Sequence, residues 1–181
     1  MESEHARFLK PWIMFGTNAF NLHWLGFYQS IKMLATAEQQ AKWVPLARKT
    51  EIIGCYAQTE LGHGSDVMNL ETTATYDKER EVFVLNSPTL TSTKFWPGCM
   101  GHMANHALVV AQLYINGKKR GVQTFIAQIR DTETHKPMEG VVLGDIGDKF
   151  AMQQSDNGWL KFKQYAIPRE NMMMRFATVT P

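Results

Sequence analysis

The chain has 181 residues, of which 44% are hydrophobic and 20% charged, and its formal net charge is +2 at pH 7. This balance is typical of a globular protein and argues against intrinsic disorder. The basic residues are scattered, and the longest cluster is only Lys118-Lys119-Arg120, which argues against nucleic-acid binding. Two cysteines are too few for a disulfide framework and indicate free thiols in a reducing compartment.

The sequence predicts neither a membrane span nor a secretory signal. The most apolar stretch, Pro11 to Tyr28, is interrupted by polar residues, whereas a span needs about 20 mostly apolar ones. The first residues are acidic where a secretory signal would be basic, and the last ones carry no Ser-Lys-Leu address.

Residues 1–50 are predicted to be helical. Four aromatic residues share the spacing i, i+4, i+7 and i+8 of one helical face: Phe20, Trp24, Phe27 and Tyr28. Thr36 and Gln39 then have the spacing of a capping box, which predicts a helix from Ala37. Pro45 is expected to end or kink that helix within a turn.

From Glu51 the pattern changes to short β-prone runs separated by turn signals. The predicted strands are Ile52–Ala57, Thr72–Tyr76, Val82–Leu85, Thr89–Trp96, Ala107–Tyr114, Val122–Ile129, Val141–Leu143 and Trp159–Lys163. Asn116-Gly117 is a strong hairpin signal. The sequence therefore predicts an α+β protein, with a short helical segment over residues 1–50 followed by an antiparallel β-barrel or sandwich over residues 51–175.

The histidines and cysteines give little support for catalysis or metal binding. His102 and His106 have the i, i+4 spacing of helical metal ligands, but Gly98 and Gly101 precede them and no third ligand is near in sequence, so we expect a loop and no metal. His63 lies between two glycines and is interpreted as a turn residue. Cys55 lies in an apolar run without a cationic neighbour, which favours a buried structural thiol over a nucleophile.

Two predicted strand ends carry the residues best suited to ligand binding. The loop from Thr59 to Asp66 has two glycines that would let backbone amides approach an anionic or planar ligand, although a simple tight turn is an equal alternative. The second strand end, Lys94 to Gly98, places Trp96 where it could stack on a flat heterocycle, with an ordinary core tryptophan as the alternative. Together the two loops suggest a site for a large planar ligand with polar edges.

Several motifs in register resemble the acyl-CoA oxidases. They are Tyr56–Asp66, Leu70–Asp77, Leu85–Thr89, Lys94–Gly98, His135–Pro137, Gly144–Gly147, Asp156–Gly158 and Ile167–Met172. The resemblance covers roughly residues 20–181, and the order and spacing of the motifs make it specific. It implies a helical amino-terminal domain, a middle β domain and carboxy-terminal helical domains. By this resemblance the chain is expected to hold the end of the first domain and the middle domain and to lack the carboxy-terminal helical domains, as a short isoform or a fragment.

The resemblance also implies an FAD site on the middle domain. The residues expected to bind the cofactor are Tyr56, Gln58, Thr59, Gly64, Ser65, Trp96 and Gly98. Donors aimed at the flavin edges would favour negative charge on the reduced ring. Glu60 matches a structural turn residue of the family and is given no catalytic role.

The implied reaction converts acyl-CoA and O2 to trans-2-enoyl-CoA and hydrogen peroxide in peroxisomal fatty-acid β-oxidation, in a homodimer. The family's proton-abstracting Glu would lie beyond residue 181, so no residue here is expected to be catalytic and the chain alone is expected to be inactive. The alternative is a non-catalytic chain that acts by associating with another subunit. Cys99 and Ala151 stand where the family usually has Gly, and they are expected to affect flavin binding.

Overall fold

The computed structural model describes residue 16 and residues 18–180. The predictions about the first residues, and about the part of the apolar stretch before residue 16, lie outside this range. Within it, no helix has the length and apolar character needed to cross a membrane.

Helices form the first part of the described residues, while the part of the predicted helical segment before residue 16 lies outside them. A π-helical stretch over His23–Tyr28 leads into α1 (Gln29–Leu34), and α2 follows over Ala37–Arg48. The capping box is confirmed, since the Thr36 hydroxyl accepts from the Gln39 amide at 3.3 Å and the Gln39 side chain accepts from the Thr36 amide at 3.0 Å. Helix α2 ends within one turn of Pro45, as expected for a residue without a backbone N–H.

Residues 49–180 are built mainly from nine strands and two 3₁₀ turns. The strands are β1 (Gly54–Ala57), β2 (Thr73–Asp77), β3 (Val82–Asn86), β4 (Lys94–Phe95), β5 (His106–Ile115), β6 (Lys118–Gln128), β7 (Val141–Asp145), β8 (Gly158–Phe162) and β9 (Tyr165–Pro168). The 3₁₀ turns cover Val67–Asn69 and Arg169–Asn171.

Strand β5 is the centre of a six-stranded sheet with the path β1-β5-β2-β3-β9. Strands β1 and β2 pair with successive parts of β5, and β6 pairs with the opposite edge of β5. The prediction of an antiparallel sheet is correct for β2–β3, β3–β9 and β5–β6 but wrong for two pairings. Strands β1 and β2 both run parallel to β5, with Gly54 opposite His106 and Thr73 opposite Gln112. Apolar alternation reports which face of a strand is buried and carries no information about the direction of its neighbour.

A second, three-stranded sheet has the order β4-β8-β7 and is antiparallel. The strand predicted over Thr89–Trp96 is reduced to two residues. The hydroxyl groups of Thr89 and Ser92 bond to each other's backbone amides at 3.0 Å, which closes a turn in place of a sheet ladder.

His23 fastens the helical segment to the first strand. Its Nδ1 accepts from the Gly54 amide at 3.0 Å, so its Nε2 carries the proton and donates to the Ala47 carbonyl, also at 3.0 Å. The ring is completely buried, and burial lowers the pKa of His23. The neutral imidazole therefore joins the end of α2 to the start of β1, a role that the sequence analysis missed.

A second buried histidine makes the fold sensitive to acid. Burial lowers the pKa of His106 from 6.5 to about 4, and its Nδ1 lies 2.9 Å from Asn105 Oδ1. The unfolded chain binds the proton on His106 more readily than the folded chain does. The free energy of unfolding is therefore unaffected by this group above pH 6.5 and falls as the pH drops toward 4. From pH 7.5 to 5 we expect His106 to cost about 2 kcal/mol of unfolding free energy.

Urea denaturation at the two pH values measures this loss. His106→Gln cannot take up the proton, so its acid-induced loss should be smaller by that amount. An equal loss in the variant and the wild-type chain would show that other groups cause the acid sensitivity.

Candidate functional site

The two strand ends singled out in the sequence lie side by side. The Phe95 amide donates to the Thr59 carbonyl at 3.0 Å, and the Leu61 amide donates to the Thr93 carbonyl at 2.8 Å. Glu60 and Lys94 form an antiparallel bridge between these two bonds. The segment after β1 (residues 58–61) thus pairs with the segment around β4 (residues 93–96). We call the surface formed by these two segments and the adjoining Tyr56 and Gly98 the wall.

Trp96 lies at the edge of this wall. Its backbone is held by hydrogen bonds, and its side chain is partly exposed. Its amide donates to the Gly158 carbonyl at 3.0 Å, and its carbonyl accepts from Asn157 Nδ2 at 2.5 Å. Its φ of +84° is unusual for a residue with a large side chain. The indole is 43% exposed, so the alternative of a core tryptophan is wrong. An exposed indole on a fixed backbone is suited to stacking on a flat ligand.

Tyr56 and Gln58 alternate with buried residues at the end of β1. Both are half-buried, and the Tyr56 hydroxyl donates to Gln58 Oε1 at 3.1 Å. Burial raises the pKa of Tyr56, which keeps the phenol protonated as the donor. With its oxygen engaged, Gln58 presents its amide N–H₂ group as a donor.

Gly98 is closely packed beneath the helical segment. The residue is buried, and a Cβ there would lie 3.1 Å from the Leu22 side chain and 3.3 Å from Ser155 Oγ. These contacts bring the helical segment over the second loop.

Gly64 and Ser65 are not drawn into this wall. They follow a turn in which Glu60 and His63 exchange backbone hydrogen bonds at 3.0 and 3.1 Å, which agrees with the turn role predicted for His63. Both residues are exposed, and a Cβ at Gly64 would meet nothing within 4 Å.

A buried ion pair lies behind the wall. Lys94 Nζ is 3.0 Å from Glu60 Oε1, and both side chains have 0% exposure. Burial lowers the pKa of Lys94 to about 8, against the opposing attraction of the Glu60 carboxylate. Glu60 also accepts from the amides of Glu71 and Thr72 at 2.7 and 2.9 Å. These contacts agree with the structural role expected for Glu60, while the partner of Lys94 could not be predicted from the sequence.

Two family models match the chain. Residues 55–165 match the middle domain of acyl-CoA dehydrogenases, and residues 2–53 match the amino-terminal domain of acyl-coenzyme A oxidases. The chain belongs to the acyl-CoA oxidase family.

Named relatives agree with this assignment. The chain is 48% identical to peroxisomal acyl-coenzyme A oxidase 1 of Phascolarctos cinereus over 174 residues, which is 96% of this chain and 26% of that protein. It is 51% identical to the Bos taurus protein of the same name over 160 residues, 88% of this chain and 24% of that protein. The chain therefore spans about a quarter of the length of these relatives.

Solved structures of acyl-CoA oxidases share the fold. An oxidase from Lycopersicon esculentum has a TM-score of 0.93 and 51% identity, covering 99% of this chain and 28% of that one. Acyl-CoA oxidase-1 of Caenorhabditis elegans complexed with FAD and ATP has a TM-score of 0.90 and 49% identity, covering 92% of this chain and 26% of that one.

The two cysteines are buried, whereas Ala151, which like Cys99 stands where the family usually has Gly, lies at the surface. Cys55 and Cys99 are completely buried in the main core, and burial raises the pKa of both thiols, that of Cys99 to about 12. The structural role predicted for Cys55 agrees with this position. Cys99 has a φ of +70°, a conformation that favours Gly. Ala151 is exposed.

His102 meets two carboxylates rather than His106. Its Nδ1 lies 2.9 Å from Asp156 Oδ1 and 3.8 Å from Asp145 Oδ2, whereas His106 belongs to β5. These three ligand atoms lie within 4.8 Å of one another, a spacing that a metal ion could use. Asp156 is already engaged by the amides of His102 and Met103 at 2.9–3.0 Å, so we assign the cluster to loop structure.

Proposed function

We propose that the chain supplies the flavin-facing wall of a peroxisomal, FAD-dependent acyl-CoA oxidase. The observation that carries this proposal is the joining of the two strand ends, which places Thr59 beside Phe95 and leaves the Trp96 ring exposed at the edge. The proposed overall reaction is acyl-CoA plus O2 giving trans-2-enoyl-CoA plus H2O2.

Residues of the wall fit a planar group with polar edges. We assign the contacts with FAD to Tyr56, Gln58, Thr59, Trp96 and Gly98, and to Gly64 and Ser65 in the exposed turn beside the wall. Thr59 Oγ1 has no hydrogen-bond partner within residues 18–180, and Gln58 keeps a free amide donor, so both can donate to the ring edge. Trp96 would flank the ring, and the buried backbone at Gly98 would close the wall under the helical segment.

These assignments give FAD and the residues of the wall separate roles in the reaction. When bound, FAD would accept the hydride from the β-carbon of the thioester and pass the electrons to O2. Gln58 and Thr59 would favour charge on the reduced ring by donating from fixed positions. No residue of this chain is assigned the proton-abstracting role, so we expect no acyl-CoA-dependent peroxide from the chain alone.

The visible absorbance spectrum tests the proposal. The purified chain is mixed with FAD, passed over a desalting column and scanned for the absorbance bands of bound oxidised flavin. Retained flavin in proportion to protein is the expected result. A colourless protein at FAD concentrations well above those of the cell would contradict a flavin-binding wall.

Thr59→Val tests the wall itself, because it removes one hydroxyl and keeps the side-chain shape. We expect FAD affinity to fall by about 1 kcal/mol, or roughly fivefold in Kd, for one lost hydrogen bond. Thr75→Val, on an exposed position of β2, is the matched control and should bind FAD normally. Flavin fluorescence titration measures both, and an unchanged Kd for Thr59→Val would remove Thr59 from the site.

We further propose that the chain associates with a second copy, as a homodimer. Large apolar side chains outside the proposed flavin site stay exposed in the described part of the chain, and among them are Phe150, Met152 and Phe176. Phe150 is fully exposed, and exposed apolar surface of this kind favours association when it forms part of a patch. Sedimentation velocity tests the association, and a monomer at tens of micromolar would contradict it.

A further inference from the structure

The buried pair formed by Lys94 and Glu60 connects the segments that carry the wall. Lys94 Nζ donates to the carbonyls of Gln58 at 2.9 Å and of Val110 at 2.6 Å, besides Glu60 at 3.0 Å. One ammonium group thus satisfies acceptors from the end of β1 and from the central strand β5.

The carboxylate of Glu60 extends the connection to a further segment. It accepts from the amides of Glu71 and Thr72, which lead into β2. The pair therefore links the end of β1, β4, β5 and the entry to β2 at one point behind the wall.

Stability alone does not explain why this pair is ionic. Removing two charges from water is expensive, and well-packed apolar residues often stabilise a core as well as a buried ion pair does. A hydrophobic side chain, however, cannot donate hydrogen bonds, so it cannot fix the directions of the Gln58 and Val110 carbonyls. A charged, hydrogen-bonded group imposes geometry as well as contact.

The residues of the wall are adjacent in sequence or by hydrogen bond to the groups that Lys94 holds. Lys94 holds the carbonyl of Gln58, and the next carbonyl, of Thr59, accepts from the amide of Phe95 at 3.0 Å. Trp96 follows Phe95. A shift at Lys94 would therefore move both edges of the proposed flavin site.

We propose that Lys94 and Glu60 act as positioning residues, which set the orientation of Gln58, Thr59 and Trp96 toward the flavin. This inference rests on the proposed function, because it assigns a purpose to the wall. It does not require either side chain to touch the cofactor.

The test is a double variant, Glu60→Gln with Lys94→Met, which preserves the net charge and the approximate side-chain volume. The matched control is Glu51→Gln with Lys49→Met, an exposed pair 3.6 Å apart. We expect the double variant to lose at least tenfold in FAD affinity. We also expect tenfold faster hydrogen exchange at the Leu61 and Phe95 amides, with the β5–β6 ladder unchanged.

The two measurements separate this inference from the proposed function. If the wild-type chain binds no FAD, the proposed function fails, while exchange at Leu61 and Phe95 still decides whether the pair orders the loops. Unchanged exchange at those amides, or faster exchange with unchanged FAD affinity, overturns the positioning role. If the double variant unfolds as a whole, Glu60→Asp, which keeps both charges and shortens one side chain, provides the same two readouts.

Discussion

Lys94→Met alone should lower the free energy of unfolding by roughly 3–5 kcal/mol, because it leaves the Glu60 carboxylate buried without its counter-charge. Both side chains have 0% exposure, so water cannot replace the lost partner without local opening. The carbonyls of Gln58 and Val110 would lose their donor at the same time. The size of the effect comes from stranding one charge, and it does not measure how much the intact pair stabilises the fold.

Urea denaturation at pH 7 measures this loss, with Lys49→Met as the control. Lys49 forms an exposed pair with Glu51, and such pairs contribute little because both ions stay hydrated. The Glu60→Gln/Lys94→Met double variant should be more stable than Lys94→Met, since it carries no stranded charge. A double variant less stable than the single one would show that Glu60 contributes mainly through the amides it accepts from.

Local features of the fold could be predicted because the residues that form them are neighbours in sequence. The capping box needs only Thr36 and Gln39, and both of its hydrogen bonds form. The hairpin between β5 and β6 needs only Asn116 and Gly117, whose φ values of +51° and +71° fit a type I′ turn. Both motifs are decided by interactions within a few residues.

Long-range partners could not be predicted from a single sequence. His23 bonds to residues 24 and 31 positions away, and Lys94 bonds to Gln58 36 positions away. No local pattern specifies which distant carbonyl will meet a given side chain. The same limitation explains why the parallel pairing of β1 and β2 with β5 was missed, since it depends on how the chain crosses over between them.

The candidate site could be predicted in part for the same reason. The glycines of the first loop and Trp96 of the second indicated a planar ligand, and resemblance to the acyl-CoA oxidases added the cofactor. The structure joins Gln58 and Thr59 to the segment that carries Trp96. The ion pair that links these loops was missed, because Glu60 and Lys94 each belong to a different motif and neither motif specifies the partner.

Gly158→Ala should be as damaging as the loss of Lys94, although it adds only one methyl group. A Cβ at this position would lie 2.7 Å from the Gly101 nitrogen, 2.8 Å from the Gly144 oxygen and 2.8 Å from the Met100 carbonyl carbon. All three atoms belong to the backbone, so no side chain can rotate away and the loop and strand β7 must separate. We expect a loss of about 3 kcal/mol, at the upper end for overpacking.

For stability, Gly64→Ala is the matched control, since its added Cβ would meet nothing within 4 Å and its φ needs no glycine. By restricting the unfolded chain it should raise stability slightly, by up to about 1 kcal/mol. The Gly158 variant should also bind FAD poorly, because Gly158 exchanges backbone hydrogen bonds with Trp96 and Pro97 at 3.0 and 3.1 Å. Urea denaturation of both variants measures the effect on stability. Flavin titration of the Gly158 variant, with Thr75→Val as its control, measures the effect on FAD binding. A Gly158 variant that is as stable as the wild-type chain would show that β8 can move away from the Trp96 loop without cost, and the rigid wall on which flavin binding depends would then be wrong.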